Sequence, residues 1–204
     1  MLFNLNEITT DHAVVGWGDP GLPDLHGMYW SSSNDFTEAM YYRLAQAVSF
    51  SNSFIKNASE LSGDEVSVFV AEARFLRAFA YFNLLDLYGN VPLTTEISTE
   101  LPTQSNRTEL FNFIESELME IESILLASNE YGRVDNIAAH ALLSRLYLNA
   151  EVWTGQGARW RQPPLRPTEH QKPSHLSSRS SCLGTLTCTN FNHAAQPRTP
   201  SKHS

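Results

Sequence analysis

At 204 residues the chain is long enough to bury one sizeable core. Residues 1–155 carry 7 Lys+Arg against 21 Asp+Glu, a net of −14, whereas residues 156–204 carry 7 Lys+Arg and a single acid, Glu169, a net of +6. The acidic first part excludes nucleic acid as a partner, because phosphate binding needs a concentrated basic face, and it leaves neutral ligands such as sugars open.

Taken in chain order, the opening MLFNLNEITTDH has neither the basic nor the apolar region of a secretory signal. Residues 8–33 are rich in Gly, Pro, Asp and Ser and read as a long irregular loop carrying Trp17, Tyr29 and Trp30. Asp35 and Glu38 resemble a capping box ahead of a helix over about 36–58, whose seam runs Met40, Leu44, Ala47, Ser51 and Phe54. Ser62 and Glu65 form a second such box before the strongest helix, about 64–88. There Val68, Ala71, Phe75, Ala78, Phe82 and Leu85 make one stripe, and Phe69, Ala73, Leu76, Ala80, Leu84 and Leu87 make another. Two stripes predict a helix gripped from two sides. Gly89 suits the left-handed C-terminal position, and Pro92 prevents continuation.

Asn106 and Glu109 open a third helix, roughly 107–127, with Phe111, Ile114, Leu118, Ile121 and Leu125 as its buried stripe. Glu115, Glu117, Glu120 and Glu122 on this helix read as a solvated acidic face. Asp135 caps a fourth helix, about 136–153, which is apolar nearly all round. Helices of this length predict an all-α, tetratricopeptide-like array of helical hairpins; periodicity alone does not separate it from a plain bundle. An incomplete array would leave an apolar face uncovered. Arg74, Arg77 and Asp86 are expected to be paired structural charges, and His140 a structural histidine.

The stretch AEARFLRAFAYFNLLDLYGNVPL at residues 71–93 resembles the hallmark segment of the SusD/RagB family, and GRVDNIAAHALLSRLYLNAEVWTG at 132–155 resembles that family's next strong block. Weaker likenesses lie at residues 6–11 and 41–55, so the resemblance spans roughly residues 5–155. It implies a helical, non-enzymatic glycan- or nutrient-binding lipoprotein on the outward face of the outer membrane. The implied partners are an oligosaccharide and a SusC-like TonB-dependent transporter, with the membrane touched only through a lipid anchor that is missing from this chain. The alternative is a tetratricopeptide-type adaptor that grips a peptide.

Residues 156–204 hold six of the ten prolines, four of the seven histidines and both cysteines. They have no helical period and no recognised counterpart in the family. A disordered tail is expected, arising from a shifted reading frame or an assembly error; translation of the other two frames beyond Gly155 would expose the former. Cys182, Cys188 and His193 match no common zinc spacing, so neither a metal nor a cofactor is expected.

No catalytic motif is present. Sugar rings offer apolar faces and polar rims, so their sites combine an aromatic platform with placed polar groups. Trp17, Asp19, Tyr29, Trp30 and Asn34 supply those types, with Trp30 as the foremost platform. The plainer reading is that Trp17 and Trp30 only pin the loop against the helices.

Overall fold

A computed structural model of the chain describes residues 1–155, so the expectations placed on residues 156–204, Cys182, Cys188 and His193 included, lie outside the described residues. The described part is built from α1 (Leu2–Glu7), α2 (Leu22–His26), α3 (Asp35–Ala58), α4 (Asp64–Tyr88), α5 (Arg107–Ile121), α6 (Asn136–Leu148) and α7 (Ala150–Thr154). No strand occurs among the described residues beyond a lone bridge between Pro92 and Gln104. No described helix is long and apolar enough to cross a membrane.

The four long helices run as successive antiparallel neighbours, and their cross-links show the register. Thr37 at the start of α3 meets Tyr88 at the end of α4, while Asn52 further along α3 meets Arg77. Arg74 on α4 reaches Glu117 on α5, and Tyr81 packs edge-on against Phe113. Tyr147 on α6 reaches Glu115, and His140 lies 3.4 Å from Glu122. This is the expected hairpin array.

The ends of the helices follow local chemistry, with two departures. At α5 the Asn106–Glu109 box forms in full: Glu109 N donates to Asn106 Oδ1 at 2.9 Å and Asn106 N donates to Glu109 Oε2 at 3.0 Å. Asp135 caps α6 through Ala138 N at 2.9 Å. The Asp35 box does not form, because Asn34, one residue earlier, takes the cap position of α3. Nor does Ser62 cap α4; Gly63 precedes that helix with no side-chain cap. Gly89 ends α4 at φ +78°, where a side chain would be strained and would collide with Arg107.

One core links the helices. Ala71, Phe75, Ala78, Phe82 and Leu85 of α4 are buried, together with the whole predicted stripe of α5. Burying each large side chain contributes about 1.5–3 kcal/mol. The second stripe of α4 is covered only in part: Ala73, Ala80 and Leu84 are buried, but Phe69 and Leu76 are exposed. The apolar outer positions Ile137, Leu148 and Val152 are exposed as well. The fourth predicted helix breaks at Asn149 into α6 and α7. That break turns Trp153 inward, 5.7 Å from Phe82 and 6.5 Å from Phe111 between ring centres.

The acidic face expected on α5 is corrected by the structure. Glu117 is buried, and its carboxylate accepts from Arg77 Nη2 at 2.6 Å and from Arg74 Nη2 at 2.7 Å. Burial alone would raise its pKa, yet the hydrogen bonds from Arg74 and Arg77 prevail and hold the carboxyl below its ordinary value. Glu120 supports Arg74 from outside at 2.6 Å. Arg74 and Arg77 are thus the paired structural groups expected, whereas Asp86 is exposed and makes no close ion pair.

Candidate functional site

The loop before α3 is less irregular than its composition implies. Leu22 and Leu25 on the short α2 are fully buried and anchor it to the helices. Gly21 caps α2 at φ +84°, a conformation that favours glycine, and an added Cβ there would stand 2.8 Å from Asn34 Nδ2. That amide nitrogen donates to Gly21 O at 2.9 Å, while Asn34 Oδ1 accepts from Phe36 N at 3.1 Å. Asn34 therefore does two jobs at once, starting α3 and closing the loop on itself, and it is buried away from any ligand.

Just beyond this closure, Trp30 forms one wall of a cleft of about 370 Å³ over the start of α3 and the end of α4. Tyr41, Tyr42 and Tyr88 supply aromatic surface, Leu87 apolar floor, and Ser31, Ser32 and Glu38 a polar rim. The tyrosines are set by the helices that bear them. Tyr41 lies edge-on to Tyr88 at 5.3 Å and to Tyr42 at 6.1 Å. The Tyr88 hydroxyl donates to Thr37 O at 2.6 Å, and burial pushes its pKa up to about 12. That hydrogen bond ties the end of α4 to the start of α3. Trp30 is 43% exposed, which leaves ring surface available to a ligand.

Of the five residues chosen from sequence, the cleft takes Trp30 alone. Trp17 and Tyr29 are exposed at 57% and 67%, so Trp17 does not pin the loop; the two leucines of α2 do. Asp19 is exposed, and its carbonyl accepts from Leu22 N at 3.3 Å. Sequence reading missed Tyr41, Tyr42, Tyr88 and Glu38. A signal existed for three of them, since positions 38, 41 and 42 share one face of a helix that begins beside Trp30. Among the described residues no cluster of three or more His, Cys, Asp or Glu could hold a metal.

Comparison with known proteins places this arrangement. Residues 24–148 match the SusD-like family described as starch-binding and associating with the outer membrane. The starch-binding protein SusD of Bacteroides thetaiotaomicron is 34% identical over 192 residues. That match takes in 93% of this chain, and so reaches past Gly155, but only 33% of the relative's length. A SusD superfamily protein from Parabacteroides distasonis superposes with a TM-score of 0.69 at 26% identity, over 76% of this chain and 35% of that one. A laminarin-binding SusD-like protein does so with a TM-score of 0.66 at 24% identity, over 74% of this chain and 35% of its own. The hairpin array, the two sequence blocks and the family match over residues 24–148 agree: the chain belongs to the SusD-like family.

Proposed function

We propose that the protein to which this chain contributes captures oligosaccharide at the outer face of the outer membrane and passes it to a TonB-dependent transporter. The observation that carries this reading is the Trp30 cleft, lined by Trp30, Tyr41, Tyr42 and Tyr88 together with the polar Ser31, Ser32 and Glu38. Aromatic faces suit the CH faces of a sugar ring, and the rim suits its hydroxyls. The relatives' names point to starch and laminarin as ligands of those proteins, which makes both the first glycans to try.

The chain spans a third of the starch-binding relative, so the test belongs on the intact parent protein. Isothermal titration with starch- and laminarin-derived oligosaccharides should give saturable binding that Trp30→Ala reduces at least about ten-fold, the loss of roughly 1.4 kcal/mol. Binding of peptides and of no glycan would overturn the reading in favour of the adaptor.

A further inference from the structure

Tyr41 lines both the Trp30 cleft and a second, open-sided cavity of about 680 Å³ bordered by α3, the later part of α4 and the segment 91–103. Both volumes fall in the range of sites that hold small molecules. The segment is fastened to the helices rather than draped over them. Thr94 N donates to the Tyr81 hydroxyl at 2.8 Å, and that hydroxyl donates to Thr94 O at 3.0 Å. Asn52 Nδ2 donates to the same carbonyl at 2.9 Å, while its Oδ1 accepts from the buried Arg77 at 2.8 Å. Ser105 N donates to Val91 O at 3.0 Å and closes the base of the loop. Between these clamps the backbone amides of residues 95–98 make no hydrogen bond among the described residues. These amides lie on an exposed stretch that begins at the Thr94 clamp.

Charge narrows the ligand. Among the described residues, the charged side chains lining the two cavities are Glu38, Glu96 and Glu100, with no Lys, Arg or His. Carboxylates accept from sugar hydroxyls, and the free amides donate to sugar oxygens. An anionic substituent would meet the like charge of these three carboxylates.

The geometry points to one continuous groove crossing Tyr41, which takes an extended, uncharged oligosaccharide and rejects uronate- or sulfate-bearing chains. This rests on the glycan reading above. Tyr81 and Asn52 fix Thr94 at one end of the segment, which lowers the ordering cost of binding there.

The test uses the intact parent protein, titrated with maltose through maltoheptaose, with laminaribiose through laminariheptaose, and with oligogalacturonate as the anionic probe. Affinity should climb with length. Ala45→Trp, which fills the second cavity, should weaken the heptasaccharide about ten-fold, the loss of two or three hydrogen bonds, and leave the disaccharide unchanged. The exposed pair Glu96→Lys with Glu100→Lys should weaken the neutral heptasaccharide and strengthen oligogalacturonate. Suppose the disaccharide binds but length adds nothing, or Ala45→Trp leaves heptasaccharide binding intact with unchanged helical ellipticity. The groove is then refuted while the Trp30 site stands. Oligogalacturonate bound as tightly as the neutral chains also refutes it. Binding of no glycan of any length refutes both.

Discussion

Replacing Glu117 by glutamine removes one negative charge from between two arginines and changes almost nothing in shape. Its carboxylate is 9% exposed, the Arg77 side chain 7% and the Arg74 side chain 20%. Arg74 keeps Glu120 at 2.6 Å, so it retains a partner. Arg77 does not; it keeps only neutral acceptors, Asn52 Oδ1 and at most the new amide oxygen, and its Nε already has no hydrogen-bond partner among the described residues. Breaking a buried pair by removing one member typically costs about 3–5 kcal/mol. Because Arg74 is still neutralised, Glu117→Gln should fall at the low end, about 3 kcal/mol. At a slope of roughly 1–3 kcal/mol per molar urea, that is a midpoint shift of about 1 M or more, read by far-UV ellipticity. Glu120→Gln, whose carboxylate is 63% exposed, should cost under about 1 kcal/mol. Acid supplies a second arm. The Glu117 pKa is depressed in the folded chain, so its contribution is complete above the unfolded carboxylate pKa and disappears as pH falls through the folded value. Wild type and Glu117→Gln should therefore converge in acid. A Glu117→Gln protein within about 0.5 kcal/mol of wild type at neutral pH, or a gap that survives acidification, would refute the assignment of Glu117 as the keystone of this contact.

Other outcomes follow from the same structure. Leu22→Ala should destabilise by about 2–5 kcal/mol through a cavity beneath the loop, and should weaken glycan binding even though Leu22 does not line the Trp30 cleft. Asp135→Ala should cost about 1 kcal/mol by leaving Ala138 N uncapped, measured by thermal melting. Gly21→Ala should cost about 1 kcal/mol or more and perturb the Asn34 amide resonance, because the residue would be strained at positive φ and would press on that side chain. Exchanging the exposed Ile137, Leu148 and Val152 for Gln should lower the binding of an apolar dye without lowering the melting temperature.

The helices were legible because each long one repeats its apolar residues at three and four, a period that survives any tertiary context. What the pattern hid was finer. Asp35 with Glu38 and Ser62 with Glu65 have the spacing of a box, but a cap depends on where the backbone leaves the helical region, and that is settled by Asn34 and Gly63. A five-residue helix is too short to show a period, so the buried Leu22 and Leu25 passed for loop. Glu117 was misread for a different reason. It lies three residues after Ile114 and beside Leu118, on the buried side of α5, yet its charge suggested solvent. The two arginines on α4 that neutralise it were the missing half of that inference. For the cleft, Trp30 was readable as an aromatic in a Gly- and Ser-rich loop, whereas Tyr41 and Tyr88 belong to it only through the pairing of α3 with α4.

The break at Asn149 has a practical consequence. It leaves Trp153 6% exposed, while Trp17 and Trp30 are 57% and 43% exposed, so the described indoles occupy two very different dielectric settings. With Trp17, and Trp160 outside the described residues, changed to Phe, emission at short wavelength should come from Trp153 and be indifferent to aqueous quenchers. Emission from Trp30 should be red-shifted and shielded by a bound sugar. One chain thus carries separate optical reporters for hairpin closure and for occupancy, without any attached label.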